Sequence, residues 1–203
     1  MKKKLVIMGS NSGRNLEAVV NYLRGSDSVD IEIEALSDNL NSEFLQKASE
    51  LNIRHRYLPP EENAGYLGAG DFDLIALSGY SRELKPNILE LGRFINIHPS
   101  LLPAFKGTDA IARAFGAGVK VSGVTVHTLT NEVDGGKIVA QYPVLIGNLT
   151  HFDEFEEQIR QLEDILYPIV ILKILEDKVF DFQDLLGGCG GNCSGECSGC
   201  GRH

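Results

Sequence analysis

Asn96, His98 and Asp134 are the residues of this chain whose types and order point to chemistry. Asn96 and His98 belong to "FINIHPSLLP", an apolar run broken by two polar positions two apart. In a strand, side chains alternate, so Ile95 and Ile97 point to one face and Asn96 and His98 to the other. Pro99 follows, offers no N–H and keeps His98 out of helical geometry. A neutral amide can donate to an oxyanion, and an imidazole can give up a proton or carry charge near neutral pH. Asp134 lies in "NEVDGG"; beside His98 its carboxylate would hold one imidazole tautomer or stabilise the charged ring. A lone strand histidine is more often structural, and Asp-Gly-Gly more often only a turn. The shared face of Asn96 and His98 at the carboxyl end of a strand, where open α/β sheets place ligands, raises the chemical reading above that ordinary one. His127 in "VTVH" can point into the same cleft or out to solvent, and His55 and His151 read as surface residues.

The loop "GSNSGRN" (9–15) joins a first strand to a first helix, where free N–H groups and the helix dipole favour an anion such as phosphate. Its spacing is neither G-x-G-x-x-G nor G-x-x-x-x-G-K-[ST], which disfavours NAD and ATP. The plain alternative is that Gly13 and Asn15 only shape and cap a helix start. Cys189, Cys193, Cys197 and Cys200 are the only cysteines, spaced C-x3-C-x3-C-x2-C on a Gly/Ser-rich end. Four thiols could hold zinc or an iron–sulfur cluster, against the plainer expectation of a disordered tail with no defined site. With no cysteine elsewhere, the core is not a disulfide scaffold. With no H-E-x-x-H or Cys/His set in the body of the chain, a catalytic metal is not expected.

The elements that must position these groups follow from hydrophobic patterning. The 203 residues, 43% hydrophobic, suit one sizeable core. The apolar run Leu5 to Met8 is too short for a signal peptide or a membrane span, so a cytoplasmic protein is expected. The net charge of -9, with acids and bases interleaved, offers no grip on nucleic acid. Apolar runs at 4–9, 30–37, 53–58 and 73–79 alternate with helical patterns at 13–25 and 41–51. This alternation predicts an α/β fold: a Rossmann-like, mostly parallel twisted sheet with helices on both faces. "VSGVTVHTLT" and "GKIVAQYPVLI", joined by a turn, predict antiparallel strands at the C-terminal side. A long helix over 152–177 carries Phe152, Phe155, Ile159, Leu162 and Leu166 on one stripe, with a kink expected at Pro168. Composition collapses after Gly187, which divides the chain into a folded unit, 1–182, and a tail, 183–203.

"FINIHPSLLPAFKG", "GVTVHTLTNEVDGGKIVAQ" and "LEDILYPIVI" together resemble the folate-dependent formyltransferase superfamily, and within it the phosphoribosylglycinamide formyltransferases of purine synthesis. The likeness runs from about residue 4 to 182. It implies an enzyme that moves the formyl group of 10-formyltetrahydrofolate to the amine of glycinamide ribonucleotide. It further implies that Asn96 stabilises the oxyanion, that His98 is the imidazolium donor, and that Asp134 supports His98 and helps move the amine proton through water. Gly13, Arg14 and Asn15 would hold the ribonucleotide phosphate, Glu163 would meet its sugar or glycinamide end, and the backbone of Arg82, Glu83 and Leu84 would line the pteridine pocket. Asp109 matches no catalytic position. Three departures stand out: Arg14 replaces the usual Ser, "PPEENAGYLGAGDF" is shorter than usual, and Glu83 stands where an apolar residue is common. Formyltetrahydrofolate hydrolase, with the same three residues, and a non-catalytic folate- or metal-binding relative are the competing readings. A tRNA formyltransferase would call for a further domain and a basic surface, and sugar-nucleotide formyltransferases usually come in longer chains. Small-molecule substrates are expected, with no membrane or nucleic-acid partner, and both a monomer and a homodimer remain open.

Overall fold

The computed structural model of the protein describes residues 2–146 and 151–186. Strands β1 (Lys3–Met8), β2 (Ile31–Ser37), β3 (Arg54–Tyr57), β4 (Leu74–Leu77) and β5 (Phe94–His98) run parallel. β6 (Val121–Thr128) and β7 (Ile138–Leu145) add antiparallel at one side. The order is β3-β2-β1-β4-β5-β6-β7, so the chain reverses its direction of growth between β1 and β4. The expected fold class is therefore observed, including the antiparallel addition.

Alternation along the strands divides the core into two layers. Leu5, Ile7, Ala76, Ile95 and Ile97 pack with helices α1 (Arg14–Arg24), α2 (Glu43–Glu50), α5 (Ala110–Gly116) and α6 (Phe152–Leu175). Val6, Met8, Ile75, Leu77 and Phe94 pack on the opposite face. Among the described residues that face is covered by α3 (Asn63–Ala69), the single turn α4 (Pro86–Leu89) and a 3-10 turn at Pro60–Glu62. The short segment before β4 thus builds a thin layer, and Asn96 and His98, two and four residues beyond Phe94, emerge on this lightly covered face.

Helix α6 runs through Pro168 as one element; of the expected stripe Phe155, Ile159 and Leu166 are buried and Phe152 and Leu162 pack partly buried against the core, while Glu163 is buried in addition. The Tyr167 hydroxyl, one turn further on, donates to the Leu77 carbonyl at 2.6 Å and fixes α6 against the end of β4. Packing runs past the expected end of the folded unit at Phe182. A 3-10 turn at Phe182–Leu186 follows, in which Asp184 pairs with Lys173 at 2.7 Å and Leu185 lies against the core. The four cysteines fall outside the described residues.

Candidate active site

β5 and β6 pair antiparallel with Asn96 opposite His127 and His98 opposite Thr125. Directly paired residues share a face, so the register brings His127 beside Asn96. The hairpin after β6 then returns Asp134 to the same place. Gly136 makes that return possible: a Cβ there would lie 1.6 Å from the Thr128 carbonyl oxygen. Asp134 itself is left-handed, at φ 48°, a conformation Asp tolerates better than most residues.

The four side chains form one cluster. The Nδ1 of His98 lies 3.3 Å from Oδ2 of Asp134, and Nε2 of His127 lies 3.4 Å from its Oδ1. The Asn96 amide nitrogen is 3.4 Å from the same His127 nitrogen. The Gly107 N–H donates to Asp134 Oδ2 at 2.7 Å. His98 Nε2 is 3.0 Å from the Phe105 carbonyl, which only accepts, so Nε2 carries the hydrogen. His127 Nδ1 donates likewise to the Thr128 carbonyl at 2.9 Å. In the neutral His127 ring Nε2 accepts from the Asn96 amide; in the charged ring it turns a hydrogen toward Asp134.

The electrostatics are divided. Burial pushes the His98 imidazole below its ordinary value, against the opposing pull of Asp134 and the Phe105 carbonyl. Burial also works to raise the Asp134 carboxyl, but the contact with His127, the Gly107 N–H and the nearby His98 outweigh it and hold it at about 2. The cluster therefore keeps a fixed carboxylate beside an imidazole whose charging burial opposes and that carboxylate favours. When His98 is charged, both its nitrogens face oxygen, Phe105 on one side and Asp134 on the other.

Asn96, His98, His127 and Asp134 line a cleft of about 580 Å³ together with the loop after β4, including Arg82, Glu83 and Leu84. The structure thus brings the expected pteridine-lining residues and the three expected catalytic residues to one cavity. Asp109, at the start of α5 with φ 55°, also lines it.

Gly13, Arg14 and Asn15, the residues expected to hold phosphate, lie at the start of α1, after β1. Gly13 precedes α1 with no side chain capping the helix, and a Cβ on it would meet Lys47 Cβ of α2 at 2.6 Å. The Arg14 guanidinium does not point out alone: it binds Glu157 in a fork at 2.9 and 3.0 Å and Asp164 at 2.6 Å. Glu163 is buried close to Asn15; burial raises its carboxyl to about 7, against the opposing influence of Arg160, Arg14 and a bond from Asn15. Among the described residues no group of three or more His, Cys, Asp or Glu side chains could hold a metal ion. No described helix is long and apolar enough to cross a membrane.

Sequence reasoning left His127 open because its orientation depends on the β5/β6 register. It missed the Phe105 carbonyl and Tyr167, whose roles no pattern announces.

The seven-stranded sheet thus carries Asn96, His98 and Asp134 beside the carboxyl end of β5. Residues 3–171 match the formyl transferase family, and the chain belongs to that family. Phosphoribosylglycinamide formyltransferase of Bacillus subtilis is 35% identical over 85% of this chain and 95% of its own length. The Haemophilus influenzae protein of the same name is 32% identical over 87% of this chain and 89% of its own. The crystal structure of glycinamide ribonucleotide transformylase 1 from Geobacillus kaustophilus superposes with a TM-score of 0.79 at 34% identity, covering 85% of this chain and 98% of that one.

Proposed function

We propose that this chain is a cytoplasmic phosphoribosylglycinamide formyltransferase: it moves the formyl group of 10-formyltetrahydrofolate to the amine of 5'-phosphoribosylglycinamide, giving formylglycinamide ribonucleotide and tetrahydrofolate in de novo purine biosynthesis. The observation that carries the reading is the convergence of Asn96, His98 and Asp134 on one cleft that Arg82, Glu83 and Leu84 also line. The folate co-substrate supplies an activated formyl group, and the residues of the chain supply position, charge stabilisation and proton handling.

The cleft suits a flat, polar-edged group because its lining sets Arg82, Glu83 and Leu84 with the apolar Leu77 and Leu89. Asn96 is assigned to donate to the formyl oxygen as negative charge grows there, and such donors act mainly on the transition state. His98, in its charged form with Asp134 Oδ2 stabilising the ring, is assigned to give its Nδ1 proton to the folate nitrogen as that nitrogen's bond to the formyl carbon breaks. Asp134 also orders the water that carries the amine proton away. The ribonucleotide phosphate is assigned to the backbone N–H groups at the start of α1, at Gly13, Arg14 and Asn15. Glu163, beside Asn15, is assigned to the sugar or glycinamide end.

The test is tetrahydrofolate release from 10-formyltetrahydrofolate with and without glycinamide ribonucleotide. Release that depends on the ribonucleotide is expected. Release independent of it would identify a hydrolase, and none under either condition would identify a non-catalytic binding protein.

A further inference from the structure

The loop after β4, Gly79 to Leu84, forms a wall of the cleft and is anchored to other elements by polar contacts on three successive residues. The Tyr80 hydroxyl accepts from the Asn63 side chain of α3 at 3.0 Å. The Ser81 N–H donates to the Ser10 hydroxyl at 2.7 Å. The Arg82 Nε donates to Asp38 Oδ2 at 2.8 Å, where the carboxylate side chain is 3% exposed although the arginine is 62% exposed.

Ser10 follows β1 and belongs to the loop leading into α1, the loop assigned to the ribonucleotide phosphate. Its N–H still extends the ladder with β4, donating to the Gly79 carbonyl at 3.2 Å. Beyond that point the chains diverge, because β1 and β4 flank the place where strand order reverses. Gly79 turns there at φ 65°, and the ladder ends. The buried Ser10 hydroxyl and Asp38, just after β2, carry the connection across the opening.

We infer that Ser10 and Asp38 are positioning residues for the folate side of the cleft: they hold the Ser81 N–H and the Arg82 side chain so that the backbone of Arg82, Glu83 and Leu84 stands ready to read the pteridine. The inference rests on the formyltransferase reading. Its distinctive consequence is that a change in the phosphate-side loop is felt by the other substrate. With Glu83 where an apolar contact is usual, recognition on this wall depends on the backbone, and backbone placement depends on these anchors.

The test is steady-state kinetics of Ser10→Ala and Asp38→Asn with both substrates varied, and calorimetric titration of each protein with tetrahydrofolate alone. Loss of a buried backbone donor's partner should raise the folate KM and the tetrahydrofolate Kd by about five- to tenfold in Ser10→Ala, with kcat and the ribonucleotide KM within about twofold. Asp38→Asn keeps an acceptor but loses the charge, so a smaller rise in the same two constants is expected. A Ser10→Ala protein that melts like the parent but shows an unchanged folate KM overturns the inference. So does a rise confined to the ribonucleotide KM. If Ser10→Ala does not fold, an Asp38→Asn protein with unchanged tetrahydrofolate affinity overturns it alone. A parent protein that transfers no formyl group yet binds tetrahydrofolate, with Ser10→Ala binding it more weakly, would sink the functional reading while leaving the positioning role supported.

Discussion

Asp134 Oδ2 lies 3.3 Å from His98 Nδ1 although His98 ends β5 and Asp134 lies in the turn of the β6/β7 hairpin. The contact is built by the β5/β6 register and the return of the hairpin at Gly136. It fixes a negative charge next to a buried imidazole, and much of what the cleft can do follows from that pairing.

Asn96→Ala and Asp134→Asn are each expected to lower kcat by about 10²- to 10³-fold, the usual cost of removing a donor or charge that acts on the transition state. Both proteins should melt cooperatively, because neither side chain belongs to an apolar cluster. Rapid-quench measurement of formyl transfer, paired with a melting curve, checks this. A variant with near-normal kcat would remove that residue from its assigned role.

Glu163 makes folding pH-dependent in a direction opposite to most carboxylates. Its folded value, raised to about 7, lies above the ordinary 4.5, so between those values the folded protein holds more protons than the unfolded chain. Its contribution is therefore most favourable below about 4.5 and is lost as pH rises through 7. Glu163→Gln should gain stability over the parent at pH 8, by about 3 kcal/mol at most, and that gain should shrink toward pH 5. Urea denaturation at the two pH values reads the difference.

Arg14 is flanked by Glu157 and Asp164, so the group at the start of α1 carries more negative than positive charge. Removing the guanidinium leaves both carboxylates uncompensated beside the phosphate position. Arg14→Ala is expected to raise the ribonucleotide KM by roughly three- to tenfold, equivalent to about 1 kcal/mol, and to lower the melting temperature. Adding Glu157→Gln should recover part of both losses. A double variant no better than Arg14→Ala would argue that the guanidinium contacts phosphate directly.

A chain ending at Leu186 should turn over like the full-length protein, since the family match ends at residue 171 and the last described packing is the Phe182–Leu186 turn. Parallel assays of the two chains test this. A large loss of kcat on truncation would assign the cysteine-bearing end a part in the reaction.

Much of the fold was legible in local pattern. The run Leu74 to Leu77 is apolar throughout because β4 is buried on both faces, and continuous burial is what distinguishes a central parallel strand from an edge strand. The stripe Leu16, Val19, Val20 and Leu23 marks α1 because a helix buries one face at that spacing. The burial of Glu163 in α6 was less legible: Leu162 packs against the core as its spacing predicts, whereas a buried carboxylate beside it depends on tertiary contacts such as the bond from Asn15. The end of packing was likewise set by tertiary contacts, through Asp184 and Leu185, where composition alone pointed to Phe182.

The amino-acid sequence by itself determined that Asn96 and His98 share a strand face, because alternation is a property of the extended backbone. It determined too that a glycine-bearing loop opens α1 and that Asp134 lies in a turn. Only the tertiary structure decided that His127 joins Asn96 rather than solvent, that Asp134 reaches His98, that Arg14 is held by two carboxylates, and that Ser10 and Asp38 bond Ser81 and Arg82 of the loop after β4. Those decisions depend on strand register, hairpin return and helix docking, which bring together residues far apart in the chain, whereas alternation and helical spacing act only over a few residues.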